Sequence, residues 1–122
     1  MKNYFIILSL TVLSLLTTTA KGQFVSYNQI ENGRYEATVY YSSTTGQKST
    51  YELIVTVMND AVTAIHFGNG GSVHSGFNNE GYTYSGGNLT FSRDYKGNIT
   101  GASTTVKISY YNGTIQYFKI QL

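Results

Sequence analysis

Across residues 34–121 the apolar side chains recur at every second position, and breaks centred on Gly or Asn separate one such run from the next. A period of two places alternate side chains on opposite faces of a strand, whereas a helix would need a period near 3.6. The chain has no Pro, so no residue in these runs lacks the N–H that a sheet ladder uses. The expected fold is all-β: an antiparallel meander of about seven strands. So much apolar surface cannot lie flat in water, and the sheet should curl into a small barrel or fold over as a sandwich. Most connections are too short for the crossover helices of a parallel sheet.

The clearest strand covers 34–42, with Tyr35, Ala37, Val39 and Tyr41 on one face and Glu36, Thr38 and Tyr40 on the other. Residues 43–48, with Gly46, turn the chain into a second strand over 49–58. There Tyr51, Leu53, Val55 and Val57 point inward, while Ile54 and Met58 on the outer face imply a central strand covered on both sides. Asn59 and Asp60 tolerate positive φ and suit a two-residue hairpin into 61–67. Val62 beside Val57 conflicts with the face of Ile65 and Phe67 unless a bulge intervenes or both faces are covered. Gly86-Gly87 reads as a two-residue turn between 81–85 and 88–93, setting Tyr84 opposite Leu89 and Tyr82 opposite Phe91. Asn112-Gly113 joins 102–110 to 114–121. In that last strand the apolar set switches from Ile115 and Tyr117 to Phe118, Ile120 and Leu122, which implies a bulge or cover on both faces. A weak strand is expected near 24–30.

Residues 1–22 carry Lys2, an apolar run over 4–16 and a small-residue stretch over 17–22. That order is the pattern of a secretory signal peptide, cut before Gln23 or, as the runner-up, after Ala20. A run of about 13 residues falls short of the roughly 20 a membrane-spanning helix needs. One domain over 23–122 is therefore expected outside the cytosol, periplasmic or extracellular, with no stable membrane insertion after cleavage. The chain has no Cys, which removes both disulfides and a lipid anchor and fits a bacterial export product. Loss of Lys2 and Lys21 brings the net charge of +2 to zero. A neutral domain is a poor partner for nucleic acid or for anionic membranes.

Chemistry-bearing motifs are sparse. His66 and His74 are the only imidazoles, and neither Asp60 nor Glu80 completes a metal spacing with them, so no metal or other cofactor is expected. Ser72 or Ser75 with His74 and Asp60 or Asp94 could be arranged as a nucleophilic set, and Glu52 with Glu36 as an acid/base pair, but no local signature supports either. GNGG lacks the Lys and Ser/Thr ending of a phosphate loop. The Asn-x-Thr triplets at Asn88, Asn98 and Asn112 also suit hairpin turns. Residues 68–80, GNGGSVHSGFNNE, form the longest connection, and loops of that length in small domains are usually functional or mobile. Candidate ligand-binding residues are His74, Phe77, Asn78 and Asn79 from this loop, with Tyr40 and Tyr111 from the adjacent pairs Tyr40-Tyr41 and Tyr110-Tyr111. In each pair one ring must face away from what the other buries.

Residues 32–71, with NGRYEATVYY, TTGQKSTYELIVTV and FGNGG, resemble small exported bacterial β-sheet proteins of uncharacterised function. The resemblance implies export and an all-β fold and carries no site across. The expectation is a secreted, non-catalytic binding module for a protein or a glycan. The alternative is an assembly subunit that pairs through an exposed edge strand, with a small hydrolase third.

Overall fold

The computed structural model describes residues 28–76 and 80–122. The expected leader and cleavage site, the 24–27 portion of the weak first strand, and the loop residues Phe77, Asn78 and Asn79 lie outside the described residues.

Eight strands follow one another: β1 (Gly33–Ser43), β2 (Lys48–Met58), β3 (Ala61–His66), β4 (Ser72–His74), β5 (Tyr82–Gly86), β6 (Thr90–Arg93), β7 (Ile99–Tyr110) and β8 (Ile115–Gln121). Every pairing is antiparallel, and there is no helix among the described residues. Their order in the sheet is β4-β3-β2-β1-β8-β7-β5, with β6 also on β7. The sheet then curls round until the start of β3 meets the link between β5 and β6. Ala61 bridges Asn88, Val62 N donates to Gly87 O at 2.8 Å and Leu89 N to Asp60 O at 2.9 Å. The sheet is thus a nearly closed barrel, which settles the choice between barrel and sandwich.

The turns explain why these strands meet in these registers. Ser43–Gln47, Asp94–Asn98 and Tyr110–Thr114 share one design, in which the first residue pairs with the last and its carbonyl also accepts the N–H of a glycine three residues on. Gly46, Gly97 and Gly113 have φ of 94°, 87° and 95°, the left-handed position that ends a three-residue hairpin loop. Asn59 and Asp60, at φ 53° and 61°, form the two-residue turn read from the sequence. After it, the β2–β3 register shifts between Thr56 and Val57, so that Val57 pairs with Val62 and Val55 with Ile65. This bulge turns both Val62 and Ile65 into the core.

Several expectations are corrected. Gly86-Gly87 is not a hairpin turn, and β5 and β6 do not pair with each other. They lie end to end along one edge of β7, where Tyr82 pairs with Tyr110, Tyr84 with Ile108 and Phe91 with Ala102. The glycines form the kink at which the chain approaches β3. A Cβ on Gly87 would stand 2.5 Å from Val62 O, and one on Gly86 would overlap Thr105 O. β2 lies inside the sheet but is not covered outside, since Met58 is exposed and Ile54 only half-buried. β8 carries no bulge: its register with β7 is unbroken, Phe118, Ile120 and Leu122 point in, and Ile115 and Tyr117 simply face out. Residues 28–30 form no strand, and the 68–80 connection contains β4.

Val39, Val55, Val57, Ile65, Val106, Ile108 and Ile120 fill the middle of the barrel. The two ends are finished differently. At the end where β1 begins, Ile30 is 1% exposed and Leu122 is also buried. The Asp60 carboxylate accepts the backbone N–H groups of Gln29, at 3.0 and 2.9 Å, and of Ile30, at 3.1 Å. Tyr35 donates its hydroxyl to Glu31 O at 2.6 Å, and Arg93 donates to the Gln29 side chain. This end is plugged. The opposite end, framed by the β1–β2, β3–β4 and β7–β8 turns, holds the candidate site.

Candidate functional site

The alternation that builds the core runs on past it at this end, but with aromatic instead of aliphatic residues. Tyr41 is the last apolar inward residue of β1, Tyr51 and Leu53 stand at the matching end of β2, Phe67 follows directly on β3, Tyr110 closes β7 and Phe118 comes from β8. Together with Gln116 and Asn69 they line a cavity of about 320 Å³, within the range of small-ligand sites. An eight-stranded barrel has just enough interior to be filled by side chains or to hold one small ligand. Here the plugged half is filled and the open half is not.

The rings form a connected wall. Tyr41 and Phe118 lie 5.3 Å apart between centroids, Phe67 and Phe118 6.0 Å, and Tyr41 and Tyr51 6.4 Å. These are spacings for tilted aromatic contact. Phe118 forms a buried floor and Tyr51, at 47% exposure, stands at the rim. The polar groups are few and placed. Gln116 Nε2 donates to Tyr41 Oη at 3.0 Å, and Asn69 Oδ1 is held by Gly71 N at 2.9 Å. Burial, and next the neighbouring Tyr41, push the Tyr110 phenol above its ordinary value, so it stays a neutral donor.

Behind Tyr110 lies the seam between β4 and β5. The Tyr82 ring sits 6.0 Å from Tyr110 and 6.4 Å from His74. Tyr82 Oη accepts His74 N at 3.1 Å and donates to Glu80 Oε1 at 3.1 Å, while His74 Nε2 lies 3.5 Å from the same carboxylate oxygen. Burial is the main reason the Tyr82 phenol is raised, and Glu80 adds to it. Further along, Tyr84 donates to Val62 O at 2.6 Å, and its burial raises that phenol strongly. The seam is therefore closed by side chains where the ladder stops.

The sequence candidates are dispersed. His74 belongs to the seam, Tyr40 lies on the outer face at 49% exposure, and Tyr111 occupies the β7–β8 turn at 78% exposure. None of the three lines the mouth. It is their neighbours Tyr41 and Tyr110 that turn inward, so the pairs divide as the alternation requires. Tyr51, Phe67, Asn69, Gln116 and Phe118 were not singled out by the sequence, because they come from separate strands and share no spacing. The Asp60 carboxylate is occupied by Gln29 and Ile30, and that of Asp94 by the N–H groups of Lys96 and Asn98. Neither is oriented on His74. Among the described residues no group of three His, Cys, Asp or Glu stands close enough to hold a metal, and no helix is long and apolar enough to cross a membrane. No protein-family model, curated protein or solved structure matches this chain.

Proposed function

We propose that the protein is an exported, non-catalytic binding module that seats a single sugar ring of a glycan in the aromatic mouth. The observation carrying this reading is the contrast between a plugged barrel end and an open one lined by Tyr41, Tyr51, Phe67, Tyr110 and Phe118. A pyranose presents apolar C–H faces for aromatic walls and a belt of hydroxyls for amide and phenol groups. Gln116, Asn69 and the tyrosine hydroxyls are that polar complement. Pairing through an edge strand has less support. β4 offers three residues, the Tyr82 hydroxyl spans the β4–β5 gap, and the Tyr84 hydroxyl ties β5 to β3.

Calorimetric titration with a panel of neutral oligosaccharides tests the reading. At least one should bind, and Tyr51→Ala and Gln116→Ala should each weaken it about tenfold, roughly 1.4 kcal/mol, with little change in melting temperature. A panel with no binder, or a bound sugar indifferent to both substitutions, rules the mouth out.

A further inference from the structure

The outer face of the barrel holds a second surface, which shares only Tyr41 with the lining of the mouth. Reading the registers across β2, β1, β8 and β7 gives two neighbouring rows of outward side chains. The first is Lys48, Ser42, Tyr117 and Lys107; the second is Thr50, Tyr40, Lys119 and Thr105. With strands about 4.8 Å apart, each row is about 15 Å long. Three lysines and two tyrosines thus share one patch. Tyr40 is 49% and Tyr117 39% exposed, and none of these lysines makes an ion pair among the described residues. Lys48, Lys119, Tyr40 and Tyr117 line a shallow saddle of about 540 Å³, and Lys107 stands at the end of the first row beside it.

Carboxylates are segregated from this patch. Glu52 lies in the next row toward the plugged end, where it accepts the Thr38 hydroxyl at 2.7 Å, and Glu36 lies one row beyond. The zero net charge of residues 23–122 therefore conceals an uneven face: the lysines gather in these two rows, while Glu52, Glu36 and, one row further, the exposed Arg34 lie toward the plugged end. Exposed aromatic rings between unpaired ammonium groups are poorly explained by solubility, which lysine alone would supply.

We infer that this face binds an acidic polysaccharide, with Tyr40 and Tyr117 against sugar faces and Lys48, Lys107 and Lys119 meeting the acid groups. An extended polyanion suits the geometry because the charges are spread along rows and do not converge on one point. No Arg contributes, so the surface offers point charges and not the bidentate fork that selects phosphate esters.

The test uses polygalacturonate, neutral dextran and phosphatidylglycerol vesicles as probes of the full protein. Polygalacturonate should bind, weakening as sodium chloride rises, and dextran should not. The double variant Lys48→Gln/Lys119→Gln should lose about tenfold in affinity and Tyr40→Ala about fivefold, both with the parent's melting temperature. Tyr51→Ala, which alters the mouth, should leave polygalacturonate binding unchanged, so failure here is distinct from failure of the mouth. Polygalacturonate held no better than dextran overturns the inference. So does a double variant that binds as tightly as the parent, or binding confined to the vesicles.

Discussion

The two ends of this barrel are built from the same strands and the same alternation, yet one is sealed and the other is left open. At the sealed end the inward side chains, Tyr35 among them, are buried, and the chain preceding β1 folds across it. Ile30 fills the opening, and the Asp60 carboxylate gathers the N–H groups of Gln29 and Ile30. At the open end the inward positions carry Tyr41, Tyr51, Phe67 and Tyr110, which line the cavity. The difference separates two demands. Stability is concentrated where side chains are fully buried and a carboxylate ties down the chain preceding β1. The proposed recognition falls to rings that are only partly covered.

Truncating the plug should show this division most strongly. Ile30→Ala removes a buried side chain from a site closed on all sides, and it is expected to cost about 3 kcal/mol of unfolding free energy by urea denaturation. The matching change at the other end, Tyr51→Ala, starts from a half-exposed ring and should cost under about 1 kcal/mol. Comparable losses in the two variants would erase the proposed division.

Asp60→Asn sharpens the same comparison with a smaller effect. Asn tolerates the φ of 61° that Asp60 adopts, so the turn survives while the charged acceptor is lost. A loss of about 1.5 kcal/mol is expected from weakening the bonds to Gln29 and Ile30. Hydrogen exchange at those two amides should accelerate, while amides of β8 keep their protection. Unchanged exchange at Gln29 and Ile30 would mean that the carboxylate does not hold the plug.

The sequence made one of these ends easier to foresee than the other. The long strands and their turns were legible because alternation and the glycine at the end of each three-residue loop are local signals, and the Thr56/Val57 bulge announced itself as a conflict of faces. The Gly86-Gly87 kink was misread because a hairpin and a kink both call for positive φ at adjacent glycines. The distinguishing clue lay elsewhere, in β7. Its 12 residues exceed the 5 of β5 and the 4 of β6, so one long edge can take both in line. Tyr82, Tyr84, Leu89 and Phe91 nonetheless share the face that packs on the core, since face depends on alternation and not on which strand is the partner. The mouth escaped notice because its residues are gathered by closure of the sheet from positions as far apart as Tyr41 and Phe118. The lysine rows escaped for the same reason, and net charge, being a sum, could not show their separation.

The smallest effect is at the mouth itself and concerns pH. Burial, then Tyr41, raise the Tyr110 phenol above its ordinary 10.0, which means that the folded state favours the neutral form. Its contribution to stability is present below pH 10 and is lost as pH rises toward and through the folded-state value. Subtracting the ultraviolet titration of Tyr110→Phe from that of the parent should isolate one phenol ionising above 10.0, and the variant should lose less stability under alkaline conditions than the parent. A saturating sugar should move that phenol further upward, because a ring seated against Tyr110 displaces water that would solvate the phenolate. An isolated phenol that ionises at its ordinary value would show the mouth to be as well hydrated as bulk solvent. The comparison would then contrast a plugged end with an open one that has no environment of its own.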